Sequence, residues 1–428
     1  MNNKAYLIIA KNTAGMLAVN KILIDNNIVT DLVPTPPETG TVCAIAVKIN
    51  EKNLLLAKSL LEDNKIDFEN ILEERKMKLA GLLEKKLFNA VTEKFIDILK
   101  KLEIGSDLMK DEIVYLLKTD NKKEIATIYE IANRIRKETV GDIVDIRGAI
   151  EFSNYCKKSC KYCGINADNK SILRYRMGEE EILATVLELH NIGLKTVILQ
   201  SGEDDSWSTP RLVKLLKKIK EKTNMRITLS VGERTKEDYE ELKKAGANNF
   251  LLKIETTNKK IFKNIHPDDD YDKRVQCAKW LKELGYITGS GNIIGLPEQT
   301  EEDIASDILY FKDMGINMIG IGPFIPAKGT AFENMPVGSI ELTLRTVAVT
   351  RIVCKKVFLP STTALASLDK DAQIMALKAG ANTIMLISTP LKYRENYCIY
   401  DNKNMVDLDA AFYAVEKAGR HLPEYLKV

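Results

Sequence analysis

Three of the chain's seven cysteines stand close together, at Cys156, Cys160 and Cys163. Their C-x3-C-x2-C spacing puts three thiols on one short loop, and an aromatic residue, Tyr162, precedes the third. Thiolates are soft ligands that suit iron–sulfur clusters, and three of them can hold three irons of a 4Fe-4S cube. The fourth iron would lack a protein ligand nearby, because the next cysteine along the chain is Cys277.

An iron left open on a reducing cluster indicates a particular chemistry. S-adenosylmethionine (SAM) can chelate that iron through its amino acid end, and one electron from the cluster can then break its sulfonium bond. A ferredoxin-type site would need a fourth thiolate, and a structural zinc site would need four closed ligands. Free cysteines packed in a core are the third alternative. The spacing favours the open cluster over all three.

Length and charge limit the class of protein. A chain of 428 residues suggests two or three domains. Its 63 Lys and Arg against 60 Asp and Glu leave a net charge of +3, which offers no electrostatic support for a nucleic acid partner. Apolar runs are too short for a signal peptide or a membrane span, and the cysteine usage fits a reducing compartment. We therefore expect a cytoplasmic protein without a membrane partner.

The pattern of apolar residues divides the chain into four parts. Residues 1–75 predict a β-α-β-β-α-β unit of ferredoxin-like type, and residues 76–140 predict a helical lead-in. Residues 141–400 alternate strands with amphipathic helices that end on glycine, and residues 401–428 form a helical tail. The predicted strands of the third part are 146–152, 196–200, 226–231, 249–254, 286–294, 318–322, 357–360 and 383–386. Eight such units predict an α/β fold, a TIM-type (β/α)8 barrel.

Polar residues and glycines follow several of these strands, at the end where TIM-barrel chemistry takes place. The stretch from Gln200 to Asp204 offers a glycine for close approach and an acid for an ammonium group. Ser230 ends the third strand, and Glu255 follows the fourth, where it could accept hydrogen bonds from sugar hydroxyls. Glycines around Gly291 leave room for a flat purine. Each motif alone is a common turn, but their succession after the cysteine loop predicts one site.

These motifs together carry a family resemblance. The cysteine loop, SGED, IET and GNIIGLPE resemble the radical SAM superfamily. RGAIEFSNYC, RYRM, TLSVGER and GIGPFIP look like the branch that contains the FeFe-hydrogenase maturase HydE, biotin synthase and methylornithine synthase. This resemblance covers roughly residues 107–400. The stretch from Pro37 to Cys43 faintly resembles sulfur- or selenium-carrier domains, although one cysteine after a loop is more often a packed strand residue.

The resemblance implies a 4Fe-4S cluster held by the three loop cysteines, and SAM as second cofactor. The cofactor-binding residues it implies are Tyr162, Gln200, Ser201, Gly202, Glu203, Ser230, Glu255, Arg274, Gly291, Ile293, Met318 and Ile321. The substrate-facing residues it implies are Thr228, Thr362, Thr363, Met385, Tyr397 and Tyr400. Ordinary alternatives exist for three of these, because Met318 and Met385 could be core residues and Arg274 could be a surface charge.

Three departures from the family pattern concern the substrate. Asn249 and Lys253 stand where the family commonly has arginines, and Ala327 falls where a His-Pro is usual. Lysine does not fork onto a carboxylate as arginine does, so an anchor for an amino-acid-like substrate is altered. By resemblance the substrate is an iron-carbonyl-cyanide-cysteinate precursor of the hydrogenase di-iron centre, with a ferredoxin- or flavodoxin-type electron donor and partner maturases. The alternatives are a paralogue that acts on another small sulfur, selenium or amino-acid-like molecule, and a non-catalytic iron–sulfur scaffold.

Overall fold

The computed structural model describes residues 4–39, 45–74 and 90–426. Cys43 and the first part of the predicted lead-in, residues 76–89, lie outside this range. The described strands form two sheets, one of four strands near the N-terminus and one of eight strands in the remainder of the chain. Helices cover the eight-stranded sheet, and none of those in the described ranges combines the length and apolarity that a membrane crossing requires.

The N-terminal unit is a small antiparallel sheet with two helices. Its elements are β1 (Ala5–Ile9), α1 (Thr13–Asp25), β2 (Asp31–Pro34), β3 (Ile45–Asn50), α2 (Leu54–Asp63) and β4 (Asn70–Glu73). The strand order is β2-β3-β1-β4 with antiparallel pairing throughout. The side chain of Asn12 caps α1 by accepting a hydrogen bond from the backbone N–H of Gly15 at 2.9 Å. The predicted β-α-β-β-α-β unit is confirmed.

Three helices lead from this unit to the large sheet. They are α3 (Glu93–Glu103), α4 (Lys110–Lys118) and α5 (Lys122–Val140). The buried carboxylate of Glu124 joins them, because it accepts hydrogen bonds from Thr92 N–H at 2.9 Å, from the Tyr115 hydroxyl at 2.7 Å and from the Thr119 hydroxyl at 2.5 Å. These hydrogen bonds lower the pKa of Glu124 although burial opposes them. Helix α5 ends at Gly141, whose φ of +76° favours glycine.

The large sheet is a nearly closed parallel barrel of eight strands. Its strands are β5 (Asp145–Ser153), β6 (Thr196–Ser201), β7 (Arg226–Ser230), β8 (Asn249–Leu251), β9 (Ile287–Ile294), β10 (Met318–Pro323), β11 (Pro360–Ser361) and β12 (Thr383–Ile387). They follow the order β10-β9-β8-β7-β6-β5-β12-β11, and a bridge between Met318 and Phe358 joins the two ends. The predicted (β/α)8 barrel is confirmed.

Helices surround the barrel as the alternating pattern predicted. They are α6 (Glu179–Asn191), α7 (Thr209–Lys222), α8 (Lys236–Lys244), α9 (Lys259–Ile265), α10 (Tyr271–Glu283), α11 (Glu301–Asp313), α12 (Ile340–Cys354), α13 (Thr363–Leu368), α14 (Lys370–Lys378), α15 (Leu391–Arg394) and α16 (Leu408–Lys417). Hydroxyl capping is common here: the side chains of Thr235, Thr300 and Ser339 accept the first-turn N–H groups of α8, α11 and α12.

The N-terminal unit covers the amino end of the barrel. Three barrel residues, Ile287, Met318 and Phe358, belong to the same buried apolar cluster as Ile8 and Val19 of the small unit. Because these barrel residues stand at or just before the starts of their strands, the core of the small unit continues into the lowest layer of the barrel. We call this contact the barrel floor.

Polar contacts fasten the floor. The Asn317 amide donates to the Leu32 carbonyl at 2.5 Å, and Glu74 lies 2.6 Å from the ammonium group of Lys356. Inside the barrel, the Arg147 guanidinium donates to Asp145 at 2.7 Å and lies 4.7 Å from the ring centre of Phe358. The first two contacts join the N-terminal unit to the barrel, whereas the pair of Arg147 and Asp145 lies within β5 and packs against Phe358 of the floor.

Candidate active site

The cysteine loop follows β5 and is held in shape by its own polar side chains. The Arg174 guanidinium donates to four backbone carbonyls of the loop: those of Asn154 at 2.5 Å, Ile165 at 2.8 Å, Asn166 at 2.5 Å and Asn169 at 3.0 Å. The Asn154 amide donates in turn to the Leu173 carbonyl. A loop with little regular secondary structure thus has a fixed backbone, because one planar cation satisfies several of its carbonyls at once.

The three loop thiols are free and partly buried. Burial raises the pKa of Cys163 to about 12, and it also raises the pKa values of Cys156 and Cys160. At Cys160 the charges of Cys163 and Cys156 add to the effect of burial on the pKa. The Cys156 sulfur accepts the backbone N–H of Glu203 at 3.3 Å. Three soft donors in one pocket fit an iron–sulfur cluster with one iron left open.

Gly202 explains how the end of β6 reaches this loop. A Cβ atom at Gly202 would lie 2.3 Å from the Tyr155 carbonyl oxygen and 2.7 Å from the Cβ of Cys156. Only glycine permits this approach, and it brings the carboxylate of Glu203 beside the cysteines.

A network of charged side chains stands behind Glu203. Its carboxylate accepts the backbone N–H of Glu233 at 3.1 Å and lies 3.8 Å from the ammonium group of Lys158, which also contacts Asp269. The Arg274 guanidinium donates to Glu233 at 2.6 Å and to Asp269 at 2.7 Å. The ammonium group of Lys273 also lies 3.4 Å from Glu233, so three acids face three bases and the charges of the network balance, while burial raises the pKa of Glu203. The Glu203 carboxylate has its nearest cation at 3.8 Å, so it can still accept a hydrogen bond from a cationic ligand group.

Glu255 has a strained backbone, with φ at +62°. Its carboxylate lies 2.8 Å from the ammonium group of Lys253 and accepts a 3.4 Å hydrogen bond from the Tyr162 hydroxyl. Its N–H donates to the Gly291 carbonyl on the next strand. A non-glycine residue in this region costs about 1–3 kcal/mol and is concentrated at functional sites.

An apolar wall adjoins Glu255. Ile293 lies in a buried cluster with Ile265, Phe324 and Phe332, and Tyr162 packs on that cluster. At Gly291 a Cβ atom would lie 2.0 Å from the Gly320 carbonyl oxygen. Glycine therefore keeps the strand β9 close to its neighbour and leaves the inner face without a side chain at this level.

The predicted substrate residues lie on the inner face of the barrel, directly after β11 or in the segment after β12. The Thr228 hydroxyl accepts from the Asn249 amide at 2.9 Å, and Thr363 accepts from the Tyr400 hydroxyl at 3.1 Å. The Thr362 hydroxyl donates to the Ile321 carbonyl at 3.2 Å. Tyr397 is buried and hydrogen-bonded to Gln200. Met385 of β12 pairs with Arg147 of the neighbouring strand β5.

The remaining predicted residues are near the cysteine loop or the strand ends. Ser201 follows Gln200 at the end of β6, and its hydroxyl donates to the Gly202 carbonyl at 2.7 Å. Ser230 ends β7 and is half-buried. Three residues depart from the family pattern. Asn249 donates to Thr228, Lys253 pairs with Glu255, and Ala327 is buried next to Gly164 of the cysteine loop.

Two predicted cofactor residues lie elsewhere. Met318 starts β10 and packs in the barrel floor, where its sulfur lies 3.2 Å from an Arg147 nitrogen, so it cannot line a ligand at the opposite rim. Ile321 belongs to the outer core with Leu344 of α12, because alternation along β10 points it away from the barrel interior. The alternative that Arg274 is a surface charge is also wrong, since the residue is buried between Glu233 and Asp269.

Several residues of the site were not predicted. Lys158, Asp269 and His266 surround Cys160 or Glu203, and a buried pair, Glu151 with Lys403, faces Tyr397 and Thr389. Lys403 and His266 arrive from segments that have no periodic pattern. Burial raises the pKa of Glu151, and burial also lowers the pKa of His266 to about 3. The position of Glu151 on a barrel strand is the one signal that could have found it.

Comparisons with known proteins agree with this geometry. Residues 150–311 match the Radical SAM superfamily, residues 321–419 match the Biotin and Thiamin Synthesis associated domain, and residues 5–73 match an Se/S carrier protein-like family. The chain is 40% identical over 307 residues to the [FeFe] hydrogenase maturase subunit HydE of Thermotoga maritima, covering 72% of this chain and 88% of the relative.

Two further relatives are methylornithine synthases. The 3-methylornithine synthase of Methanosarcina barkeri is 29% identical over 314 residues, covering 72% of this chain and 88% of that protein. The crystal structure of methylornithine synthase (PylB) superposes with a TM-score of 0.69 at 25% identity, covering 76% of this chain and 97% of the other.

Proposed function

The chain belongs to the radical SAM superfamily of enzymes, and from that premise we propose that it cleaves SAM reductively and acts on a small HydE-type substrate inside the barrel. When bound, a reduced 4Fe-4S cluster supplies the electron that breaks the sulfonium bond and yields methionine and a 5'-deoxyadenosyl radical. Cys156, Cys160 and Cys163 would hold the cluster. The observation that carries the proposal is the packing of the Gly202–Glu203 turn against these cysteines, because it joins the metal-binding loop to a site for a cationic ligand.

The other residues of the site bind and orient. The carboxylate of Glu203 would receive the ammonium group of SAM, and Arg274, which is paired with Glu233 and Asp269, would stand close to the carboxylate of SAM. Glu255 would accept hydrogen bonds from the ribose. Tyr162, Ile293 and Gly291 would bound the adenosine and exclude water. None of these residues has to abstract a proton, since the reaction is initiated by electron transfer.

The first test removes one cluster ligand. Cys160→Ala, reconstituted without oxygen, should lose most of its iron and all formation of 5'-deoxyadenosine, because two thiolates do not retain the cluster. Cys354→Ala is the matched control, since that cysteine lies in α12, away from the loop, and should keep both. Iron analysis and chromatography of 5'-deoxyadenosine provide the readouts. Retention of iron and cleavage in the Cys160 variant would refute the cluster assignment.

We propose that the substrate is the organometallic precursor of the hydrogenase di-iron centre, on the strength of 40% identity to a HydE. A second candidate is a paralogue acting on another small sulfur, selenium or amino-acid-like molecule. It is favoured by Asn249 and Lys253, because neither side chain has the forked guanidinium of arginine. Both side chains also have partners in the barrel, since Asn249 donates to Thr228 and Lys253 pairs with Glu255.

Co-expression separates these candidates. The chain would be produced with an apo-hydrogenase and the partner maturases, with a known HydE as positive control, and hydrogen evolution would be assayed. Activity above a Cys160→Ala control supports the maturase. No activity together with intact SAM cleavage supports the paralogue.

A non-catalytic cluster scaffold is the remaining alternative. A scaffold has no use for a strained Glu255 or for a charged network beside the cysteines, so these features support an enzyme. We further propose a ferredoxin- or flavodoxin-type electron donor and a reducing cytoplasm, since every cysteine in the described ranges is unpaired.

A further inference from the structure

His266 touches a cluster cysteine from outside the cysteine loop. Its Nδ1 lies 3.1 Å from the sulfur of Cys160, and the side chain is 3% exposed. The residue follows α9, and the backbone N–H of Lys161 donates to the Ile265 carbonyl at 3.0 Å, so this segment is fastened to the loop.

The imidazole ring has a fixed orientation. It stands edge-on to the Tyr162 ring, with 5.5 Å between ring centres, and its centre lies 4.8 Å from that of Phe262. These two contacts fix the plane of the ring in a close-packed interior. A 180° flip would keep both contacts but would put a carbon, Cδ2, beside the acceptors Cys160 and Asp269, so these acceptors determine that Nδ1 faces Cys160.

The surroundings of the ring determine which nitrogen carries the proton. A cysteine that ligates iron is a thiolate, so its sulfur can only accept a hydrogen bond. The carboxylate of Asp269 is a second acceptor, 3.6 Å from the same Nδ1, and it is held there by Arg274. On the other side, Nε2 is buried and has no hydrogen-bond partner within the described residues. Two acceptors at Nδ1 favour the tautomer in which Nδ1–H donates.

We propose that His266 donates a hydrogen bond from Nδ1 to the Cys160 thiolate and thereby makes the cluster easier to reduce. This inference rests on the proposed function, because it requires the cluster. Hydrogen bonds to the sulfur ligands stabilise the more negative, reduced state and so raise the reduction potential. His266 is a positioning residue, since it acts on the cluster through Cys160.

Nitrogen labelling tests this contact in the unaltered protein. The chain has three histidines, His190, His266 and His421, of which His190 lies in the last turn of α6 and His421 pairs with Ile143 before β5. Protein grown with 15N-histidine and reduced anaerobically should show a weak nitrogen coupling to the cluster electron spin in pulsed EPR. Absence of any coupling overturns the proposal. A strong coupling, as for nitrogen bound to iron, overturns it as well.

Two substitutions test the effect on reduction. His266→Phe keeps a ring against Tyr162 and Phe262 but has no donor, whereas His266→Asn places an amide N–H close to the position of Nδ1. At the potential where wild type is half reduced, the reduced-to-oxidised ratio of the Phe variant should fall about tenfold, or about 59 mV for one electron. The Asn variant should recover most of this ratio. An unchanged ratio in the Phe variant overturns the proposal.

Iron and sulfide analysis distinguishes a failure of the His266 proposal from a failure of the proposed function, which requires the cluster. A wild-type protein that assembles no cluster refutes the proposed function itself. If the Phe variant loses its cluster while the Asn variant keeps a full cluster at the wild-type potential, the donor role is supported. If both variants lose their cluster and the labelled wild type shows no nitrogen coupling, the role of His266 is refuted.

Discussion

Glu255 combines an unfavourable backbone conformation with a buried carboxylate. Its φ of +62° is one that side chains avoid, and the same bend directs the carboxylate toward Tyr162 and Lys253. Glu298 has nearly the same φ, +65°, but it is exposed and makes a surface ion pair with Lys260. The two glutamates therefore share the same backbone strain but differ in burial and in their partners.

This pair provides a matched prediction. Glu298→Gly should raise the free energy of unfolding by about 1 kcal/mol, because the relief of backbone strain outweighs the loss of a weak surface ion pair. It should leave SAM cleavage unchanged. Glu255→Gly should gain less stability, because it also breaks the ion pair with Lys253, and should weaken SAM binding at least about tenfold. Denaturant unfolding and equilibrium binding of SAM measure the two effects. Equal SAM affinity in both variants would contradict a role for Glu255.

Lys243 gives a prediction on pH. Its ammonium group is buried and donates to the Gly285 carbonyl at 2.7 Å; burial, and then the charge of Lys220, lower its pKa to about 7. In the unfolded chain the pKa of lysine is about 10.4, so between pH 7 and 10 the unfolded state binds more protons. By itself, Lys243 should therefore make the free energy of unfolding rise with pH in this window.

Lys243→Met should reduce that rise by at most about 1.4 kcal/mol per pH unit, since the lysine proton is then absent from both states. Lys244→Met is the control, because Lys244 lies on the same helix but is exposed in a pair with Glu240. Anaerobic urea unfolding at pH 7 and pH 9 gives the comparison. Identical slopes in wild type and the Lys243 variant would show that this lysine is charged throughout.

At the scale of the element, the backbone of the cysteine loop is held by contacts from the protein itself. Four hydrogen bonds from Arg174 to backbone carbonyls make this loop rigid, so binding a cluster requires less ordering of the chain. The loop thus resembles a metal site whose outer contacts orient the ligands.

Arg174→Ala should lower cluster occupancy and destabilise the loop by about 2–4 kcal/mol, at about 1 kcal/mol for each hydrogen bond. Lys170→Ala is the matched control within the same loop, because Lys170 is exposed and donates to the single carbonyl of Ala167. Iron content and hydrogen exchange of residues 154–174 report the two effects. Full iron content in the Arg174 variant would argue against preorganisation by this side chain.

Most helices and strands could be predicted from the sequence, because the spacing of apolar residues and the glycines that end helices are local signals. The errors of prediction concern strand lengths. The predicted strand 249–254 is shortened to β8, since the chain bends at Glu255. The predicted strand 357–360 is reduced to β11, because Phe358 instead makes a single bridge to Met318.

The site was predictable where its residues follow strands, and not elsewhere. Glu203 and Glu255 stand at strand ends, whereas His266 and Lys403 come from irregular segments whose positions depend on the folded chain. Met318 was misplaced although the predicted strand 318–322 already starts at this residue, at the end opposite the rim where TIM-barrel chemistry takes place. Ile321 could have been placed, since Gly320 and Gly322 alternate with it along β10.

At the scale of the whole molecule, the N-terminal unit is part of the barrel's packing. Phe358 lies in the barrel floor with Ile8 and Val19, and its ring receives the Arg147 guanidinium. Because this contact contains buried apolar residues from both sheets, we expect the two to unfold together rather than separately.

Phe358→Ala should lower the free energy of unfolding by about 3–5 kcal/mol, because it opens a cavity in the floor. Hydrogen exchange should increase in β1 and β3 as well as in β10, since these strands share the cluster. Val29→Ala is the control: Val29 is in the small unit but 78% exposed, and its loss should change neither quantity. Unchanged exchange in β1 and β3 would show that the small unit is stable by itself.

The floor also constrains the order in which molecules enter the barrel. With the amino end covered by residues of another unit, a substrate that reacts deep inside has to pass the rim that carries the cysteine loop. SAM bound at that rim would stand in the path, so the substrate should enter first and the nucleoside product should leave before the altered substrate can.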